Sequence, residues 1–203
     1  MTEMWGMEPG APLAETGSTG PAADASDPDR AAAAGLRELI RDVPNFPREG
    51  IVFKDITALL SNAAAFRAAI DILVAAHADA GVDVVVGVEA RGFVLGGALA
   101  HQLGAGFVPV RKRGRLPRST LSAAYALEYG EAVLEIHEDA LLPGQRVLVV
   151  DDLLATGGTA RATVDLVERL GGVVVSVAFL VELAALEGAR ALGDRAHVSL
   201  IRF

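Results

Sequence analysis

The sequence predicts an α/β protein built on a largely parallel, twisted sheet flanked by helices. Three observations carry that reading. The run Val147–Val150, short, unbroken and β-branched-rich, has the character of a strand buried on both faces, and the valine-rich stretches Val82–Val88 and Val173–Val181 read as further strands. Stretches with helical apolar spacing separate them. Glycine-containing turns follow the strands and open the helices. A chain of 203 residues, 52% hydrophobic, is enough for one substantial core.

Along the chain, Met1 to Pro28 is rich in Gly, Pro, Ala, Thr and Ser without apolar periodicity, and it reads as a disordered extension. The folded domain is expected over 29–203. Asp29 suits a helix cap, and Arg30–Asp42 reads as a helix with Leu36, Leu39 and Ile40 facing inward. Val43 to Gly50 is a proline-punctuated turn, and Ile51–Lys54 is a short extended piece. Ala63 to about Ala80 is helical, with Phe66, Ile70, Leu73, Val74 and His77 near one face. After the strand Val82–Val88 come a turn, Glu89–Gly92, and a helix, Phe93–Leu103. Phe107–Val110 is a strand, and Arg111–Ser122 reads as a long basic loop. Tyr125–Glu128 and Ala132–His137 form a hairpin. The strand Val147–Val150 and a helix from Ala160 to Leu170 follow, then strand Val173–Val181, a short helix and a last strand, His197–Arg202.

The most specific chemistry lies at Val150-Asp151-Asp152-Leu153-Leu154-Ala155-Thr156-Gly157-Gly158-Thr159. A strand, an acidic pair, a small-residue turn and a helix start describe an anion site, because N–H groups at a helix N-terminus are unpaired and glycines admit a phosphate. The acids cannot bind phosphate; they suit ribose hydroxyls or a divalent cation that travels with the phosphates. An ordinary turn with two capping acids is the bland alternative. No Lys follows Gly158, so this is not a Walker A loop, and the Gly-x-Gly-x-x-Gly dinucleotide pattern is absent.

A second anion candidate, Gly87-Val88-Glu89-Ala90-Arg91-Gly92, also follows a strand and opens a helix; a structural Arg is the competing reading. Loops beyond the carboxyl ends of parallel strands share one crevice. Two such loops suit a ligand with two separated phosphate groups, as in 5-phosphoribosyl-1-pyrophosphate (PRPP). The basic run Arg111-Lys112-Arg113-Gly114-Arg115 fits a lid over a polyphosphate, with a solvated charge run as the alternative. Aromatic interleaving is lacking and the net charge is −8, so nucleic-acid binding is not expected. Phe53 by itself reads as core. The four His residues share no metal or triad spacing, and the absence of Cys removes thiolate chemistry and disulfides. No apolar stretch reaches membrane length and no leader pattern opens the sequence, so a cytoplasmic protein is expected.

Taken together, Arg41–Pro47, Gly50–Thr57, Gly87–Phe93, Val110–Pro117, Leu127–Gly130, Asp151–Thr159 and Val181–Leu183 resemble the adenine phosphoribosyltransferases, a branch of the type I phosphoribosyltransferase family. The resemblance spans roughly Leu36 to Phe203. It implies the type I fold with a small hood and a mobile loop, and synthesis of AMP and pyrophosphate from adenine and PRPP. It assigns Ala155, Thr156, Gly157, Gly158 and Thr159 to the 5-phosphate, and Asp151 and Asp152 to the ribose. Glu89, Ala90 and Arg91 would form the pyrophosphate loop, often with a cis peptide, and Arg111, Lys112 and Arg115 would belong to the mobile segment that reaches pyrophosphate. Val52 and Lys54 would offer main-chain groups to adenine, Phe53 and Leu183 would sandwich the ring, and Glu128 would act as general acid/base at N7. Many relatives carry Arg where Lys54 stands, a change that leaves a backbone contact intact. Mg²⁺ is implied as cofactor, bound mainly through PRPP with Asp151 and Asp152 acting through water, and a homodimer is implied as the assembly. A 6-oxopurine or xanthine phosphoribosyltransferase, or a non-catalytic PRPP-sensing regulator, stays open as an alternative.

Overall fold

A computed structural model describes residues 35–126 and 131–203, with Ala126 and Glu131 described by backbone alone. The expected disordered extension, its boundary near Asp29 and Glu128 lie outside the described residues.

Seven strands form the main sheet in the order β5-β6-β4-β3-β7-β8-β9. β3 (Val84–Val88), β4 (Gly106–Lys112), β7 (Arg146–Leu154), β8 (Val173–Glu182) and β9 (His197–Arg202) run parallel, and the hairpin of β5 (Thr120–Ala126) and β6 (Glu131–His137) adds antiparallel to β4. A separate two-stranded antiparallel sheet joins β1 (Arg41–Pro44) to β2 (Val52–Asp55), in the place of the expected hood. Helices α1 (Thr57–Ser61), α2 (Ala63–Ala75), α3 (Arg91–Leu103) and α4 (Gly158–Arg169) complete the regular elements. The α/β class and largely parallel sheet match expectation.

Alternation along the central strands builds two core layers. Val85, Leu148, Val150, Ala178 and Leu180 face one side, where they pack with Leu59, Ile70 and Leu73 of α1 and α2 and with Leu95 and Leu99 of α3. Val84, Val86, Val147, Val149, Val177 and Phe179 face the other, where they pack with Ala160, Val164, Leu166 and Val167 of α4 and with Leu134 and Ile136 of β6. The strands buried on both faces are therefore the valine-rich runs, as the sequence indicates.

Several boundaries differ from the sequence reading; the helix expected from Ala63 to about Ala80 ends at Ala75, with a 3₁₀ turn at Ala78–Ala80. The expected helix over Arg30–Asp42 gives way: only a helical turn at 35–37 is described, and Arg41–Pro44 is strand β1. Register with β2 (Arg41↔Asp55 through Pro44↔Val52) decides this, since a strand partner outweighs local propensity. Leu36 and Ile40 are nevertheless buried, as expected. The long basic loop is strand at its two ends and loop between them: Arg111 and Lys112 belong to β4, paired with Glu135 and Leu134, and Thr120–Ser122 belong to β5. β7 runs past Val150 through both aspartates to Leu154, because β8 pairs with it as far as Leu154↔Glu182. The short helix after β8 is two 3₁₀ turns, Ala184–Leu186 and Gly188–Leu192.

His77, just beyond α2, is core as the spacing suggests. Its Nδ1 lies 2.7 Å from the Leu73 carbonyl, which only accepts, so Nδ1–H donates there. Nε2 is then the acceptor for the Ser176 hydroxyl, 3.1 Å away on β8. Burial holds the imidazole below its ordinary pKa. A depressed histidine pKa favours the folded state above the unfolded value and costs stability as pH falls below it. Urea denaturation at about pH 7 and about pH 5 should show stability falling on acidification by up to about 1.4 kcal/mol per pH unit from this group, and falling less in His77→Gln. An identical drop in the two proteins would exclude His77 as the source.

Candidate functional site

The strand order reverses between β3 and β7: α3 leaves β3 toward β4, and α4 leaves β7 toward β8 in the opposite direction. The two helices consequently pack on opposite faces, and a crevice opens beyond the carboxyl ends of β3 and β7. Both helix starts point into this region without a side-chain cap. Their first N–H groups have no intrahelical acceptor and stay available to an anion.

The Asp151–Asp152 pair closes the strand side of the crevice. Both are buried in β7, and the Asp152 N–H donates to Asp151 Oδ1 at 2.8 Å. Burial, reinforced by the neighbouring Asp152 charge, raises the Asp151 carboxyl well above its usual range. Asp152 Oδ2 instead meets Arg91 Nε at 2.7 Å. That pair spans from the first residue of α3 to β7, and it is half sealed from water. Gly92 allows the approach: a Cβ there would lie 2.9 Å from the Val150 carbonyl and 3.1 Å from Asp151 Oδ1. The Arg91 guanidinium also lies 4.9 Å from the centre of the Phe53 ring on β2. One side chain thus joins the small sheet, the α3 start and the acidic pair. Phe53 itself is half-buried and stacked edge-to-face with Phe46 at 5.1 Å, so it borders the crevice; the core reading of Phe53 is corrected on this ground.

Glu89 faces the other way. It accepts from Arg111 Nη2 at 2.9 Å and from the Lys112 N–H at 3.1 Å, and the Arg111 hydrogen bond is the main reason its carboxyl is held below its ordinary pKa. Arg111 Nη1 also donates to the Arg115 carbonyl at 2.9 Å. Arg111 is therefore engaged by the loop at 89–90 and by its own turn, whereas the Lys112 and Arg115 side chains are exposed. The Glu89–Ala90 peptide is cis, as the resemblance implies, and Phe46–Pro47 is cis as well. A buried Glu135 on β6 accepts the Gly114 N–H at 2.9 Å and holds the basic turn from below.

Ala155, Thr156 and Gly157 form the turn from β7 into α4, with Gly158 and Thr159 in its first helical turn. Gly157 has φ +82°, and a Cβ there would fall 2.3 Å from the Gly188 carbonyl and 2.6 Å from Ala191 Cβ. A Cβ on Gly188 would fall 2.2 Å from the Ala155 carbonyl. The turn is thus pressed against the second 3₁₀ turn, whose Leu192 is fully buried. Sequence reasoning missed Gly188 and Ala191, since nothing in a single small-residue turn announces its partner some thirty residues away. Leu183 stands beside the same turn: its N–H donates to the Leu154 carbonyl at 2.9 Å. The structure brings Phe53, Arg91, Asp151 and Asp152 together and sets the Ala155–Thr159 turn and Leu183 at the end of the same strand. It gathers Glu89, Arg111, Lys112 and Arg115 into a second cluster on β4.

Among the described residues, no group of three or more His, Cys, Asp or Glu side chains stands ready for a metal ion. The donor set at the crevice is one acid with a raised pKa and one carboxylate already paired with Arg91. This fits a divalent cation carried mainly by a ligand's own oxygens, with the acids acting through water, and does not fit a dedicated protein-held ion.

Comparison with known proteins agrees with the geometry. A family model described as the phosphoribosyl transferase domain matches residues 55–199. An adenine phosphoribosyltransferase of Paracoccus denitrificans is 58% identical over 162 residues, which cover 80% of this chain and 87% of that protein. The crystal structure of adenine phosphoribosyltransferase from Thermoanaerobacter pseudethanolicus superposes with TM-score 0.82 at 52% identity, covering 84% of this chain and 99% of that one. The Saccharomyces cerevisiae enzyme, solved with adenine and D-2,5-dideoxy-2,5-imino-altritol 1,6-bisphosphate, superposes with TM-score 0.80 at 39% identity, covering 84% and 99%.

The electrostatics of the acidic pair can be checked directly. A carboxyl whose folded pKa is raised favours folding below its unfolded value and loses that contribution as pH rises through the folded value. Asp151→Asn is the neutral isostere, so its Tm relative to the unsubstituted protein should rise as pH rises above about 4, the ordinary carboxyl value, and at about pH 8 should equal or exceed it. A Tm well below the unsubstituted protein across that range would show that Asp151 is held as a stabilising anion.

Proposed function

The chain belongs to the phosphoribosyl transferase family, and from that premise we propose that it transfers the 5-phosphoribosyl group of PRPP to N9 of adenine, giving AMP and pyrophosphate in purine salvage. The observation that carries this reading is the convergence of Phe53, Arg91 and Asp152 at the reversal point of the sheet, which sets a base-facing strand against a ribose-phosphate site. The names of the relatives support it, as does the yeast enzyme's complex with adenine and a bisphosphate.

In the proposed reaction, N9 forms a bond to C1 of the ribose while the C1–oxygen bond to pyrophosphate breaks and its electrons leave with pyrophosphate. Positive charge builds on the ribose ring and negative charge on the leaving group. The α4 start, Ala155 to Thr159, holds the 5-phosphate, and Asp151 and Asp152 meet the ribose hydroxyls. The α3 start with Glu89, Ala90 and Arg91 faces pyrophosphate, and Arg111, Lys112 and Arg115 border it. The Arg111–Glu89 contact keeps the basic segment docked on the pyrophosphate loop before substrate arrives. Mg²⁺, carried by PRPP and met by Asp151 and Asp152 through water, would offset the leaving-group charge.

β2 pairs with β1 along one edge only, so its other edge has main-chain groups of Val52 and Lys54 to offer. A carbonyl there accepts from the adenine 6-amino group and opposes the oxygen of a 6-oxopurine, lone pair to lone pair, which gives strong discrimination. Phe53 and Leu183 enclose the ring, and Glu128 manages the imidazole proton as N9 attacks. The chain is proposed to work as a cytoplasmic homodimer. Exposed apolar Val94 on α3 and Phe107 on β4 support an interface, and among the described residues no helix is long and apolar enough to cross a membrane.

Nucleotide production from PRPP with adenine, hypoxanthine, guanine and xanthine tests the reading. Product is expected with adenine only and should stop in excess chelator; comparable rates with hypoxanthine would overturn the specificity, and full activity in chelator would overturn the metal. Glu128→Ala should lower kcat by roughly 10²–10⁴-fold, the range for loss of a general acid/base, with Tm unchanged. Wild-type turnover in that variant would leave Glu128 a surface carboxylate.

A further inference from the structure

Phe203 makes contacts with both sides of the proposed base slot. Its N–H donates to the Glu182 carbonyl at 2.9 Å, and its carbonyl accepts from the Ala184 N–H at 2.8 Å. These two bonds bracket Leu183. Its ring meets the other side: Lys54 Nζ on β2 and the Arg37 guanidinium each lie 4.1 Å from the ring centroid. Lys54 Nζ also pairs with Asp42 Oδ1 on β1 at 2.5 Å, and Arg37 donates to the Arg202 carbonyl. The two-stranded sheet shares no strand pairing with the main sheet, so these side-chain contacts at the end of β9 tie it down.

We propose that Phe203 is a positioning residue for base recognition, fixing the separation between Phe53 and Leu183 by holding Lys54 on its ring and the backbone around Leu183 on its main chain. The proposal rests on the reading that Phe53 and Leu183 enclose adenine. Attraction of two cations to one aromatic ring gives a preferred distance without a rigid bond. That distance sets the width of a slot into which a planar base fits, and leaves the phosphate loop untouched. Among the described residues, no hydrogen bond or ring contact joins Phe203 to Asp151, Asp152 or the Ala155–Thr159 turn, so its loss is felt at the base and not at PRPP.

Steady-state kinetics of Phe203→Ala, Phe203→Tyr, Lys54→Met, Phe53→Ala and Leu183→Ala, each with its Tm, test this. Phe203→Ala should raise the adenine KM about three- to tenfold, with the PRPP KM within about twofold of the unsubstituted protein. Phe203→Tyr, which keeps the ring, should restore it. Lys54→Met keeps the main chain of β2 and removes one cation, so it should raise the adenine KM in the same direction; this variant decides the matter if Phe203→Ala does not fold. Raised adenine KM in Phe53→Ala and Leu183→Ala with an unchanged value in Phe203→Ala or, failing that, Lys54→Met would overturn the positioning role alone. Unchanged adenine KM in Phe53→Ala and Leu183→Ala would overturn the base-slot reading and this proposal with it. Equal rises in both KM values on Phe203→Ala would mark a general loosening and overturn it too.

Discussion

The reversal of strand order between β3 and β7 is the constraint on which the rest of the molecule depends. Right-handed crossovers leaving two adjacent parallel strands in opposite directions must place their helices on opposite faces. Their N-termini then flank one crevice, and two helix starts without side-chain caps open toward it. No side chain had to be placed to create this anion field. It follows from handedness and from the β-branched runs that make β3 and β7 central strands buried on both faces.

On that frame, Arg91 does the connecting. It neutralises Asp152 across the crevice and covers the Phe53 ring on the small sheet. A half-exposed ion pair of this kind adds little net stability, because desolvation and side-chain ordering offset the attraction. Its consequence is geometric. The Asp152 carboxylate is already paired, while its neighbour Asp151 is pushed toward the neutral form by burial. Two adjacent aspartates therefore stand in different environments, one buried beside its neighbour's charge and the other paired with a guanidinium.

Each charged loop is supported by a residue remote in sequence. Glu89 and Glu135 hold the basic turn after β4 from two directions, and Gly188 seats the turn after β7. At the far end of the sheet, Phe203 does the same for the small sheet. In each case the support comes from a different element: the end of β3, β6, a 3₁₀ turn and the end of β9.

The parts legible in the sequence were those governed by local patterning. Central strands showed as valine-rich runs because both faces are buried. The Asp151–Thr159 and Glu89–Arg91 segments showed because a strand end, small residues and a helix start follow one another directly in the sequence. Tertiary structure decided what depends on partners distant in the chain. Arg41–Pro44 became a strand because β2 lies beside it, and β7 ran on through Asp151 and Asp152 because β8 continues to pair there. Arg111 and Lys112 read as loop residues by charge, yet β6 recruits them into a strand. The burial that raises Asp151, the reach of Arg91 to Phe53, and the contact of Gly157 with Gly188 have no local signature. Each is a close approach between segments dozens of residues apart, and only the folded chain sets such distances.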